Sequence, residues 1–334
     1  MKPILAVEKL NTRFETFAGS VYAVNDINFE LFPGEILAVV GESGSGKSVT
    51  MLSLLGLLPG SSSRVSGRAQ FSTAGIDVDL LSLSKSELNR YRGNHISLIF
   101  QDALRSLNPV TTVGEQISES LITHLGYNKK KARRHALELL ELVGISQPDK
   151  RYSSYPHMFS GGMRQRAMIA IAISCKPEIL IADEPTTALD VTIQSQILEL
   201  ARRLQRELGM AVIWITHDLG VVAGLADRVL VMYGGTAVEI APVDELYENP
   251  RHPYTEGLLG AIPSIANKGI KRLVSIDGSP PDLFQAPRHC QFVWRCPYAF
   301  EPCWQNIPQN YEINKGHYSK CFYDLQNNRP RTEV

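Results

Sequence analysis

The run Gly41-Glu42-Ser43-Gly44-Ser45-Gly46-Lys47-Ser48 fits the pattern G-x-x-x-x-G-K-[ST] and points to phosphate binding. Its glycines let successive backbone N–H groups turn inward onto an anion, and a helix opening there adds its positive end. Lys47 brings a charge for the outer phosphates of a nucleoside triphosphate, and the Ser48 hydroxyl brings one ligand for Mg2+. A second group, Leu180-Ile181-Ala182-Asp183-Glu184, is an apolar strand pattern ending in two adjacent carboxylates. Side chains alternate along a strand, so the two acids diverge, Asp183 toward a metal and Glu184 toward an attacking water. Strands often end in solvated acids; the pair acquires this meaning behind a phosphate loop. Farther on, Phe159-Ser160-Gly161-Gly162-Met163 sets a serine and two glycines at a helix start, where N–H groups and the helix dipole face an anion. His217 follows an apolar strand and joins the candidates, beside the ordinary reading of a packed or surface histidine.

These residues need strands that end at them and helices that begin at them. Residues 36–40 read as a buried strand running into the glycine loop, and 47–58 as the helix that leaves it. Further strands are expected at 96–100, 178–183, 211–216 and 228–233, with helices at 129–143 and 161–175. Ile193, Ile197, Leu200, Leu204 and Leu208 recur at helical spacing, which leaves Arg202, Arg203 and Arg206 on a solvated face. Such alternation predicts an α/β domain with a largely parallel sheet, whose ligands lie at the carboxyl ends of strands. After about residue 240 proline, asparagine and aromatic residues rise, and from about 275 the chain reads as loop-rich.

The 34 Lys and Arg residues balance 34 Asp and Glu, so no global field recruits nucleic acid. At 44% apolar and 20% charged, the chain has material for a core. The apolar run 4–7 is too short for a signal peptide, and no stretch reaches the roughly 18 apolar residues of a spanning helix. The expectation is a soluble, cytosolic chain whose membrane role comes through a partner. Four of the five cysteines, Cys290, Cys296, Cys303 and Cys321, crowd the last 45 residues, which in such a chain favours metal over disulfides. Four thiolates on a loop can wrap a [4Fe–4S] cubane, one per iron. Zinc, which favours paired C-x2–4-C units, and unligated thiols stand beside that reading. Cys175, on an apolar helix, reads as a buried structural thiol.

In this order the motifs resemble those of the nucleotide-binding subunits of ABC transporters, over roughly residues 4–240. The resemblance implies a P-loop NTPase cassette over 1–245: α/β, with a mostly parallel sheet, an antiparallel β portion and a helical subdomain at about 102–175. It implies an ATPase that holds ATP through Gly41, Glu42, Ser43, Gly44, Ser45, Gly46, Lys47, Ser48 and Val49. Mg2+ is expected on Ser48, Gln101 and Asp183, and catalysis on Lys47, Glu184 and His217. Gln101 resembles the Q-loop glutamine, Ala188-Leu189-Asp190 the D-loop, and His217 the switch histidine that meets the γ-phosphate. Ser160, Gly161, Gly162 and Met163 resemble the signature that closes a partner's ATP. Two subunits then meet head to tail, so this chain needs a second ATPase subunit, a homologous one in a heterodimer or a second copy. Phe17 is the expected adenine-stacking aromatic, with Phe14 and Tyr22 as rivals.

Three segments, 101–117, 182–194 and 250–259, are similar to the ATPases of oligopeptide and dipeptide importers, although Ala103 stands where those usually have proline. In that group the four-cysteine tail, here within 246–334, binds a [4Fe–4S] cluster. The resemblance implies import of di- or oligopeptides with two membrane permease subunits and an extracytoplasmic substrate-binding protein. It places the chain on the cytoplasmic face of the membrane as a peripheral subunit, with no nucleic-acid partner. Nickel or another small solute is an alternative cargo, and a soluble ABC ATPase uncoupled from transport an alternative function.

Overall fold

A computed structural model describes residues 2–102, 106–187, 189–262 and 276–331. The chain forms two compact units. One comprises Phe32–Glu35 and Leu83–Ile215, the other Lys2–Leu31, Ile36–Ser82 and the chain from Thr216 onward.

The second unit opens with β1 (Leu5–Thr16) and β2 (Gly19–Leu31), an antiparallel hairpin turning at Phe17 and Ala18. In β2, Ile27, Phe29 and Leu31 are buried while Asp26, Asn28 and Glu30 are exposed, the period-two pattern of a sheet with one face on the core. Next, β3 (Ile36–Val40) is buried throughout and feeds the glycine loop, which α1 (Lys47–Leu54) leaves. The helix ends four residues before the expected 58, because Gly56 takes the left-handed conformation (φ 58°) and Pro59 follows. β4 (Ser63–Thr73) and β5 (Ile76–Asp79) complete an antiparallel sheet in the order β2-β1-β4-β5.

The first unit carries β6 (Ile96–Ile99), α2 (Val113–Leu125), α3 (Lys129–Leu142), α4 (Gly161–Ile173), β7 (Ile179–Asp183), α5 (Val191–Leu208) and β8 (Ala211–Thr216). β6, β7 and β8 pair in parallel, with Ile96 opposite Ile179 and Asp183 opposite Ile215. Local signals set the helix ends: a capping box of Thr112 and Glu115 opens α2, and Gly126 (φ 64°) closes it. On α5, Ile197, Leu200, Ala201 and Leu204 are buried and Arg202, Arg203 and Arg206 exposed, as the helical spacing predicts.

Back in the second unit, β9 (Arg228–Tyr233) runs parallel to β3. It turns through Gly234 and Gly235, both at positive φ, into antiparallel β10 (Thr236–Pro242). After α6 (Pro253–Gly260), the tail does more than loop: β11 (Tyr311–Asn314) and β12 (His317–Ser319) extend the sheet beyond β10. The seat is a buried carboxylate. Glu239 accepts from His317 Nε2 (2.8 Å) and from the Arg251 and His252 N–H groups (2.7 and 2.9 Å), so its burial is compensated by three donors. No helix of the described residues is long and apolar enough to cross a membrane.

Candidate functional site

The glycine loop is built in the second unit. A Cβ at Gly41 would sit 2.1 Å from the Met232 carbonyl oxygen, and one at Gly46 2.5 Å from that of Ala23, so neither position admits a side chain. Both also hold positive φ, 151° and 97°. The loop closes on itself through the Ser45 N–H to the Glu42 carbonyl (3.2 Å), and Ser43 and Gly44 face solvent. Lys47 is buried with its Nζ donating to the Gly41 and Glu42 carbonyls at 2.8 and 2.9 Å. The Ser45 hydroxyl oxygen is buried with no hydrogen-bond partner among the described residues. Ser48 and Val49 are half-buried in the first turn of α1. An inward ammonium, an unsatisfied hydroxyl and a backbone that no Cβ can fill fit a nucleotide triphosphate. The Ser48 hydroxyl fits Mg2+ beside it.

In the first unit β7 delivers Asp183, its last residue, as a buried carboxylate. The chain then breaks sharply: Glu184 sits at φ 45°, the left-handed region that ordinary residues avoid, with its N–H held by the Ile215 carbonyl (3.0 Å). The adjacent acids are thus in different backbone conformations. Glu184 Oε2 accepts from Gln101 Nε2 (2.9 Å) and from Thr187 Oγ1 (3.0 Å). Two of the expected residues, 83 positions apart, therefore meet, and Thr187 joins them. Thr187 is not among the residues picked from sequence, although its place three after the acid in a turn was a signal for such a contact.

Ser160 is the N-cap of α4 and its hydroxyl accepts from the Met163 N–H at 3.3 Å, leaving Ser160 and Gly161 exposed. A Cβ on Gly162 would lie 2.8 Å from Ile193 Cγ2, which makes glycine the residue that fits. Asp190 caps α5 by accepting from the Ile193 N–H (3.0 Å). Ala103 and Ala188, of the Q-loop and D-loop segments, lie outside the described residues. His217, in the second unit, is exposed just past β8, ahead of Asp218, which caps the next short helix. Phe17 is fully exposed at the tip of the β1–β2 hairpin, whereas Phe14 and Tyr22 are half-buried within those strands.

The iron–sulfur cluster expected on Cys290, Cys296, Cys303 and Cys321 must be withdrawn, and zinc with it. Among the described residues no group of three or more His, Cys, Asp or Glu side chains could hold a metal ion. The tail cysteines instead pack: Cys303 is buried with Val293 and Phe322, and Cys290 lies against them. Burial pushes the Cys290 thiol up to about 12 and Cys296 up to about 11, and raises Cys303 and Cys321 as well. Cys175 is buried too, as its helix predicts, and its thiol is raised for the same reason. Unfolded thiols ionise near 9. Stability from the tail thiols is therefore complete below pH 9 and declines as pH rises toward 11–12. At pH 8 the folded chain should react with iodoacetamide about 10²-fold more slowly at Cys290 and Cys296 than the urea-unfolded chain. Equal rates, read by mass spectrometry, would contradict this packing.

The family model described as "ABC transporter" matches residues 24–187, and that described as "Oligopeptide/dipeptide transporter, C-terminal region" matches residues 238–303. The chain is 49% identical to the dipeptide transport ATP-binding protein DppD of Bacillus subtilis, across 100% of this chain and 98% of that protein. It is 47% identical to the oligopeptide transport ATP-binding protein OppD of Haemophilus influenzae, across 98% of this chain and 99% of that one. A solved dimeric ATP-binding cassette, bound to ADP and Pi in a post-hydrolysis state, superposes with a TM-score of 0.63 at 26% identity, over 72% of this chain and 98% of that one. The glycine loop, the strand-end acids and the helix capped by Ser160 thus sit in an ABC cassette fold, and the chain belongs to the ATP-binding subunits of ABC transporters, in the oligopeptide/dipeptide family.

Proposed function

We propose that this ABC ATPase energises the import of di- or oligopeptides, working on two membrane permease subunits fed by an extracytoplasmic substrate-binding protein. The observation that carries the reading is the match beyond the cassette: similarity to peptide-transport ATP-binding proteins runs the full length and includes the C-terminal region at 238–303. In this reading the chain is a peripheral subunit on the cytoplasmic face of the membrane, which its likeness to peptide-transport ATP-binding proteins supports. A cassette over 1–245 is followed by a C-terminal region over 246–334.

In this reading the backbone of 41–46 and the Lys47 ammonium bind the triphosphate, and Phe17 stacks on adenine. Ser48, Asp183 and Gln101 would hold Mg2+, which would neutralise phosphate charge when bound. Glu184 orients the attacking water and takes its proton, and His217 contacts the γ-phosphate. The exposed N-terminus of α4, with Ser160, Gly161, Gly162 and Met163, is offered to ATP on a second ATPase subunit, with Asp190 at the same interface. One phosphate loop and one signature cannot serve each other in such an arrangement, so a homologous partner completes each site. The specific ATPase rate should therefore rise with concentration of the active pair and vanish on dilution. A rate per chain that stays constant at every dilution would refute the pairing.

The test of cargo is purification from the native membrane with the co-purifying subunits, followed by reconstitution into proteoliposomes. ATP-dependent uptake of a labelled di- or oligopeptide is the expected result. Uptake of nickel with no peptide transport would overturn the reading.

A further inference from the structure

Glu42, the second residue of the phosphate loop, is gripped by parts of the chain far outside the cassette motifs. Arg295, from the cysteine-bearing tail, lays its guanidinium fork on the Glu42 carboxylate: Nη1 to Oε2 at 2.7 Å and Nη2 to Oε1 at 3.0 Å. Its remaining donors are spent on the carbonyls of Asp277 (Nε, 2.9 Å) and Ile276 (Nη2, 3.1 Å) and on the Tyr233 hydroxyl (Nη1, 3.3 Å). The Arg295 side chain is only 5% exposed, unlike a surface ion pair. From α6, the Tyr254 hydroxyl accepts the Glu42 N–H at 2.8 Å. Tyr254 is itself fully buried against Tyr233 and Phe292, with ring centroids 4.5 and 5.5 Å away. The Glu42 carbonyl, in turn, accepts from Lys47 Nζ at 2.9 Å. One residue thus has its N–H and carboxylate fixed from the C-terminal region and its carbonyl fixed on the lysine of the loop.

We propose that Arg295 is a positioning residue for the phosphate loop, and that through its fork on Glu42 the C-terminal region sets the loop in its nucleotide-binding shape. The proposal rests on reading 41–48 as the loop that holds ATP. Removing the arginine leaves a carboxylate without its compensating charge in a mostly buried place. The Glu42 side chain can then turn toward water, and the backbone whose carbonyl meets Lys47 loses its brace from the tail. Lysine in place of Arg295 keeps the charge but cannot reproduce a planar two-point contact. The tail is, on this view, a wall of the ATP site and not an appendage to it.

The experiment is a titration of the full-length chain with a fluorescent ATP analogue and Mg2+, well below the melting temperature of each variant. Arg295→Ala is expected to weaken binding about tenfold, and Arg295→Lys by less. Arg331→Ala is the control for damage to the tail alone, since Arg331 donates to the Cys321 carbonyl (3.1 Å) and faces Asp324 (3.8 Å). It should lower the melting temperature and leave affinity unchanged. Lys47→Ala in the same titration tests the underlying reading: wild-type binding there would sink the phosphate-loop assignment itself. If Lys47→Ala loses binding while Arg295→Ala keeps it, the positioning role alone is overturned. That role also falls if Arg331→Ala weakens binding as much as Arg295→Ala. Should Arg295→Ala fail to fold, Arg295→Lys decides, and wild-type affinity in that variant refutes the proposal.

Discussion

Lys47→Ala is expected to reduce ATP hydrolysis, and any transport it drives, by about 10²–10³-fold. The ammonium is already aimed into the glycine loop, held by the carbonyls of Gly41 and Glu42. Phosphate oxygens carry formal charge and are stronger acceptors than neutral carbonyls for a buried cation. Alanine removes that charge from the one place where transferring phosphoryl oxygens need it, and no second cation belongs to the loop segment 41–48. Glycines at 41 and 46 keep the backbone open in the variant, so the loop itself should persist. Steady-state hydrolysis with equal amounts of wild-type and variant protein checks the expectation. A wild-type rate would remove the phosphate role from this lysine.

Glu184→Gln should separate binding from turnover. The substitution keeps size and shape but removes the charge that draws a proton from water, a loss worth about 10²–10⁴-fold in rate. Gln101 and Thr187, which now donate to Glu184 Oε2, can still donate to an amide oxygen, so the local turn should survive. The expected outcome is a protein that binds ATP at wild-type concentrations, hydrolyses it very slowly, and accumulates in a nucleotide-loaded paired state on gel filtration. Unchanged hydrolysis would take the base assignment away from Glu184. Normal folding with lost ATP binding would show instead that this carboxylate supports the site structurally. The strained φ of 45° at this position makes the contrast worth measuring, since strain of this kind persists where the surroundings hold it for a purpose.

Much of the site was legible in the residues because it is made of local grammar. A buried apolar run, glycines and a helix-starting lysine occur consecutively at 36–48, so strand, loop and helix follow from neighbours alone. The same holds for Ser160 and Asp190, which cap the helices that begin one residue later. The β1–β2 and β4–β5 hairpins were harder to see, because half-buried antiparallel strands announce themselves by alternation and not by a continuous apolar run.

Two matters were settled by tertiary packing. Cysteine spacing says that four thiols share a short stretch of chain, but the fold buries Cys303 with Val293 and Phe322, packs Cys290 against them, and raises all four thiols by burial. Whether a sulfur ionises depends on the water around it, and no spacing encodes that. The grip of Arg295 on Glu42 spans 253 positions, and neither residue stands out from its sequence neighbours as half of a pair. Short-range rules wrote the glycine loop and the helix caps of the candidate site because backbone geometry and capping act over a few residues. Burial and long-range pairing decided how the tail packs, because desolvation and charge pairing act between whatever the fold brings within a few ångströms.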